Sequence, residues 1–147
     1  MRTLAAARIA LRPATAADLP LIAPWYADAA PGSPVTAHAG LLVITRPEDP
    51  AAIGIVEYRS DTPAKGWATI SAIALAPGQR GWGYGSEAVR ALEASLAPGV
   101  GRFLTRVPVT NGLGVYFWLR LGYRPAHAVE VTAAEEDTLA MVRLTGA

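Results

Sequence analysis

Ala76-Pro77-Gly78-Gln79-Arg80-Gly81-Trp82-Gly83-Tyr84-Gly85-Ser86 is the stretch whose reading decides the fold. Three glycines alternate at Gly81, Gly83 and Gly85, between a predicted strand and a predicted helix. Glycine lets the backbone turn tightly and approach an anion with no Cβ in the way. The N–H groups of the following helix's first turn then point at that anion, helped by the helix dipole. Arg80 adds positive charge at the mouth, and the Ser86 hydroxyl adds a donor. Such a nest fits a pyrophosphate. A plain tight turn with closely packed glycines is the bland alternative. A dinucleotide fingerprint needs Gly-x-Gly-x-x-Gly, and a Walker loop needs Gly-Lys-Ser/Thr; neither is present.

Working outward, Trp67 to Ala76 is the strongest strand candidate, stopped by Pro77-Gly78. A helix is predicted over 83–96, with Ala88, Val89, Leu92 and Leu96 on one stripe. Arg102 to Val109 reads as a strand. Asn111 to Leu121 reads as a second helix, ended by Gly122 where a left-handed cap is favoured. Towards the N-terminus, Leu41–Thr45 and Ile53–Arg59 form a predicted hairpin. Thr15 and Asp18 mark a helix start, with Leu19, Ile22 and Tyr26 on one face; Pro24 is expected to kink or end that helix. Arg8–Arg12, His127–Thr132 and Thr138–Leu144 complete the strands, the last two joined by an acidic turn at Ala133–Asp137. The order β-α-β-β-β-α-β-α-β-β predicts an α/β sandwich on a mostly antiparallel, mixed sheet of about seven strands flanked by helices. A single domain over 1–147 is expected.

Composition narrows the function. Of 147 residues, 52% are hydrophobic and 17% charged, which argues for a packed core and against disorder. Net charge is +1 and Lys65 is the only lysine, so no nucleic-acid or membrane-surface footprint is expected. The absence of cysteine excludes disulfides, thiolate metal sites and cysteine nucleophiles. No metal site is predicted. Arg8 and Arg12 interrupt any signal-peptide core, and no apolar run approaches a membrane span of roughly 20 residues. A cytoplasmic soluble protein is expected.

Arg80-Gly81-Trp82-Gly83-Tyr84-Gly85 resembles the Arg/Gln-x-x-Gly-x-Gly/Ala signature of the GNAT superfamily of N-acetyltransferases. Ile73-Ala74-Leu75-Ala76-Pro77, Val107–Asn111, Gly122-Tyr123 and Leu139–Leu144 resemble that family's other landmarks, in order. The resemblance implies a sheet splayed between the fourth and fifth predicted strands, with acetyl-CoA in the gap. It implies that Ile73, Ala74 and Leu75 pair with the pantetheine arm. Amides of Arg80, Gly81, Trp82, Gly83, Tyr84, Gly85 and Ser86 are implied to hold the pyrophosphate, with Asn111 touching the cofactor. The implied reaction is direct attack of a primary amine, small molecule or peptide, on the thioester. The Leu75 N–H then serves the oxyanion. A homodimer is the expectation for this fold.

Two positions depart from the pattern. A tyrosine acid often follows the asparagine by seven residues; here that position is Trp118, expected to pack beside the cofactor, since an indole donates a hydrogen bond but is no practical acid. Tyr116 is expected to face elsewhere. No carboxylate lies in Ile70–Ala76, so Glu57 is the candidate base, against the alternative of a solvent-facing strand glutamate. Trp25, Tyr26, Trp67 and His38 are candidate acceptor-side residues, each readable as ordinary packing or exposed loop. Glu135-Glu136-Asp137 is a candidate attractor for a cation, or a solvated tip. The competing functions are an acyl-CoA-binding module with little or no catalysis, and a dinucleotide-binding domain.

Overall fold

The computed structural model describes residues 4–5, 8–126 and 138–145. The expected strand at His127–Thr132 and the acidic turn that follows lie outside the described residues. Eight strands are present among the described residues: β1 Leu4–Ala5, β2 Ala10–Pro13, β3 Leu41–Arg46, β4 Asp49–Ser60, β5 Trp67–Leu75, β6 Arg102–Pro108, β7 Arg124–Pro125 and β8 Thr138–Leu144. The helices are α1 Leu19–Ala29, α2 Tyr84–Leu96 and α3 Gly112–Arg120. The chain forms two compact units, Met1–Tyr58 with Ser71–Ser95, and Arg59–Ile70 with Leu96–Ala147. β5 contributes its first residues to one and its last to the other.

In the first unit the strand order is β1-β2-β3-β4-β5. β1–β2, β2–β3 and β3–β4 are antiparallel, with Leu41 opposite Glu57 and Val43 opposite Ile55. Leu41 to Thr45 are all buried, as a strand covered on both faces requires. Leu41 and Val43 join Ile22, Trp25, Tyr26, Ile55 and Ala72 in one core cluster. Each fully buried aliphatic or aromatic side chain there contributes about 1.5–3 kcal/mol. Gly54 is required by close approach: a Cβ at this position would stand 2.5 Å from the Ala74 carbonyl oxygen. On α2 the stripe Ala88, Val89 and Leu92 is fully buried.

Of the two expected outcomes at Pro24, a kink or an end, the end does not occur; the helix continues to Ala29. The bond that proline forfeits is to Pro20, still in the first turn, so one missing donor is outweighed by burying Ile22, Trp25 and Tyr26.

In the second unit the order is β5-β6-β8-β7. β6 and β8 pair antiparallel from Arg102↔Leu144 to Pro108↔Thr138. β5 and β6 pair in parallel, but only at Trp67↔Arg102, Ala68↔Phe103 and Thr69↔Leu104. Asn111 caps α3 by accepting the Gly114 N–H at 2.9 Å, and Gly122 follows the helix at φ +96°.

α1 is entered through a capping arrangement. The Asp18 carboxylate accepts from the Thr15 N–H at 2.8 Å and from Arg12 Nη1 and Nη2 at 2.9 Å each. The Arg12 hydrogen bonds, against partial burial, hold the Asp18 carboxyl down at about 2. A folded-state value below the unfolded one stabilises above the ordinary carboxylate range, and that stabilisation is lost as pH falls towards 2. Asp18→Asn is expected to cost about 1 kcal/mol near neutral pH. Urea melts should also show a flatter dependence of stability on pH between about 4 and 2 than the parent shows.

Candidate active site

The glycine-rich turn leaves β5 with positive φ at Gly78, Gly81 and Gly83 (+87°, +84° and +83°). Among the described residues a Cβ at Gly78 or Gly81 would meet nothing within 4 Å, and one at Gly83 would meet only the Arg8 guanidinium, at 3.0 Å. The turn's outer face is therefore open, with a cation beside it. The helical bond from the Glu87 N–H to the Gly83 carbonyl, at 3.2 Å, closes α2's first turn. The N–H groups of Tyr84, Gly85 and Ser86 lie ahead of that bond, where a helix has donors to offer. Backbone conformation and charge both fit a pyrophosphate.

Arg80 turns away from the nest. Its Nε donates to the Leu75 carbonyl at 3.2 Å, and its Nη2 lies 3.8 Å from Asp28. Its main chain remains part of the turn, while the cation over the nest is Arg8.

Among the described residues the end of β5 offers an unpaired edge. The Ala76 N–H donates to the Ile53 carbonyl at 2.8 Å, and the Ala74 carbonyl backs onto Gly54. Alternation along a strand therefore turns the backbone groups of Ile73 and Leu75 away from β4. The Leu75 carbonyl accepts from Arg80, in keeping with that direction. An extended ligand arm can pair with such an edge as an added strand does.

Glu57 is not a solvent-facing residue. It is 2% exposed, and both carboxylate oxygens are engaged. Oε1 accepts from the Tyr26 hydroxyl at 2.9 Å and from Ser71 Oγ at 2.7 Å; Oε2 lies 2.8 Å from His38 Nε2. The Gly40 N–H donates to His38 Nδ1 at 3.1 Å, which fixes the tautomer that donates from Nε2 to Glu57. Burial pushes the Glu57 carboxyl up, but the hydrogen bonds from His38, Ser71 and Tyr26 outweigh it and hold the group below its ordinary value. A carboxylate has about four acceptor positions, so about one is left for an incoming proton donor. Ser71 is exposed and His38 half-buried, so two of the three partners connect the buried anion to the surface.

In the second unit Trp118 is buried and packs edge-on against Tyr123, ring centres 4.8 Å apart, and against Phe117 at 5.1 Å. Tyr116 is exposed. Trp67 is partly buried against Leu104 and Ala140. Trp25 and Tyr26 belong to the first unit's core.

The model of the Acetyltransferase (GNAT) family matches residues 8–123. This chain belongs to that family. GNAT proteins transfer an acetyl group from a coenzyme A thioester, so acetyl-CoA is the cosubstrate of this GNAT chain. A GNAT acetyltransferase from Bacillus anthracis superposes with TM-score 0.77 at 13% identity, over 97% of this chain and 98% of that one. A probable GNAT acetyltransferase from Chromobacterium violaceum gives 0.77 at 20%, over 98% and 86%. The spermidine N-acetyltransferase of Vibrio cholerae, solved with CoA and spermine, gives 0.72 at 20%, over 93% and 95%. At such identities the likeness is one of fold. No curated protein matches the sequence.

The sequence reading of this GNAT chain missed Arg8, and it missed Ser71, Tyr26 and His38 as the set that surrounds Glu57. Strand alternation places Ser71 and Ile73 on one face of β5, yet nothing in a sequence pairs a given hydroxyl with a given buried carboxylate. The network predicts its own titration. Removing a donor leaves burial less opposed, so His38→Ala and Ser71→Ala should each raise the Glu57 carboxyl above its parental value. Carboxyl carbon NMR of the labelled protein reads this directly; an unmoved titration would mean that these bonds do not set it.

Proposed function

We propose that this protein is an N-acetyltransferase that transfers the acetyl group of acetyl-CoA to a primary amine by direct attack in a ternary complex. The supporting observation is that one continuous segment, β5 through the start of α2, offers two things in sequence: an outward-facing backbone edge at Ile73 and Leu75, and an open N–H nest from Gly81 to Ser86. The pantetheine arm pairs with the first and the pyrophosphate rests in the second. The Leu75 N–H is then directed at the thioester oxygen, where it stabilises the oxyanion as charge develops. Acetyl-CoA and an amine are the only partners proposed, in a cytoplasmic setting, with a homodimer as the assembly.

Glu57 is the proposed proton acceptor. An alkylammonium must lose a proton before its nitrogen can attack, and a buried anion both holds the cation and takes that proton directly or through water. Its lowered pKa favours the holding role, so the proton moves on to solvent by way of the exposed Ser71 side. The thiolate is a tolerable leaving group and takes its proton from water, with no tyrosine acid at position 118.

Titration calorimetry with acetyl-CoA, with NAD as control, tests the cofactor half. Saturable binding of acetyl-CoA alone is expected, and Gly83→Glu should abolish it by filling the nest with a carboxylate. No binding by the parent protein would sink the proposal. Binding with no acceptor-dependent CoA release across a broad amine panel would leave only a CoA-binding module. For the acceptor half, Glu57→Gln should lower turnover about 100-fold or more near neutral pH, with a smaller loss at high pH where the amine is already neutral. A pH profile parallel to the parent's would remove Glu57 as the base.

A further inference from the structure

A base that is 2% exposed is not touched by its substrate, so the groups bonded to Glu57 decide how a proton reaches it. Oε1 accepts from the Tyr26 hydroxyl at 2.9 Å and from Ser71 Oγ at 2.7 Å, which fills both acceptor positions of that oxygen. Oε2 accepts from His38 Nε2 at 2.8 Å; its other position is buried with the side chain. Leu41 stands opposite Glu57 on β3 and brings no titratable group. A proton from outside therefore arrives through one of the three donors.

A relay must accept on one side while it donates on the other. Tyr26 is 5% exposed and belongs to the core cluster, so no substrate reaches its oxygen. The His38 ring is half-buried, but its second nitrogen is taken, because Nδ1 accepts the Gly40 N–H at 3.1 Å. Gly40 is itself held: the Tyr58 N–H donates to its carbonyl at 2.9 Å. Ser71 differs from both. It is exposed, and its one proton goes to Oε1, the Glu57 carbonyl oxygen being farther away at 3.4 Å. A hydroxyl that donates once still has lone pairs with which to accept. Its bond to the carboxylate is of the short, charge-assisted kind.

We propose that Ser71 is the proton relay of this site, the single gate through which the acceptor amine's proton passes to Glu57. The inference rests on the N-acetyltransferase reading with Glu57 as base. Four residues of strand, about 13 Å, separate Ser71 from Leu75, so water bridges the amine to the relay. An ammonium N–H bond breaks, and each bridging water gains one proton and passes one on. An Oγ–H bond forms as the original Oγ–H bond breaks, and the released proton binds Glu57 Oε1. The electron pair left on nitrogen forms the C–N bond at the thioester carbonyl, and the C–S bond breaks to release the thiolate. The same hydroxyl then returns the proton from Glu57 to water.

The test follows CoA release across pH with two probes of like shape: ethylamine, a strong base, and 2,2,2-trifluoroethylamine, a weak one. The proteins are the parent, Ser71→Ala, Ser71→Thr and Glu57→Gln. If Ser71 only helps to hold the Glu57 charge, Ser71→Ala moves the acid limb to higher pH and keeps the parental plateau. A relay predicts instead a plateau for ethylamine at least about ten-fold lower near neutral pH. Trifluoroethylamine, which reaches the site already neutral, should lose little. Ser71→Thr keeps the hydroxyl and should bring the ethylamine plateau back towards the parent's. A parental plateau in Ser71→Ala, beside a Glu57→Gln that has lost turnover, overturns the relay and leaves the base standing. Equal losses for both amines in Ser71→Ala also overturn it, by showing structural damage. If Glu57→Gln matches the parent, the base falls and the relay with it. If the parent acetylates neither probe nor any amine of the broad panel, the N-acetyltransferase reading falls first and takes the relay with it.

Discussion

A chain that leaves a strand and starts a helix within a few residues normally covers the helix's first donors with its own side chains. Between β5 and α2 it does not. Positive φ at Gly78, Gly81 and Gly83 takes the backbone through conformations that a side chain resists. The main chain itself is thereby left as the outward face of the turn. This single constraint positions the rest of the proposed cofactor site. It sets where the edge at Ile73 and Leu75 ends, where the N–H groups of Tyr84, Gly85 and Ser86 begin, and which side chains border them. Arg8 lies over Gly83 because there is no Cβ to keep it away.

The acceptor side is built on the opposite logic. Glu57 is a buried charge, and burial alone would neutralise it. Three donors from three different elements keep it ionised: Tyr26 from α1, His38 from the segment ahead of β3, and Ser71 from β5. Each donor is itself held. Tyr26 packs in the core cluster, and His38 is locked by the Gly40 N–H. Gly40 is close against the Tyr58 carbonyl, so the loop carrying His38 is tied to β4 one residue beyond Glu57. Loss of one donor leaves the buried carboxylate poorly compensated, so the network couples the Glu57 charge to the packing of α1.

How much of this was legible in the sequence follows from what each part is made of. The glycine turn was legible because its signal is local: a conformation that only glycine adopts freely appears as glycine. The Thr15–Asp18 cap was legible for the same reason, since donor and acceptor lie three residues apart; the Asn111 cap has the same spacing but was not read from the sequence. The stripe of α2 follows from periodicity. Pro24 misled because a proline's cost depends on which carbonyl loses its partner and on what the helix buries in return. The two-residue strands Leu4–Ala5 and Arg124–Pro125 carry too few residues for a period to show. The Glu57 network joins positions 26, 38, 57 and 71, and no spacing rule connects them.

The same distinction separates the two halves of the function. Recognition through main-chain groups needs particular conformations and therefore particular residues, so a short motif can report it. Recognition through side chains needs only that some donor reach some acceptor, and many sequences meet that condition. Arg8, Arg46 and Tyr84 show the consequence at one ring: the two guanidiniums lie 4.9 Å and 5.7 Å from the centre of Tyr84. They stand beside the most sequence-legible turn in the molecule, yet two of them come from the approach to β2 and the end of β3, and only the folded sheet brings them to it. Chain-specific chemistry in a fold of this kind is thus to be sought where side chains from β2, β3 and α1 converge on the β5–α2 turn.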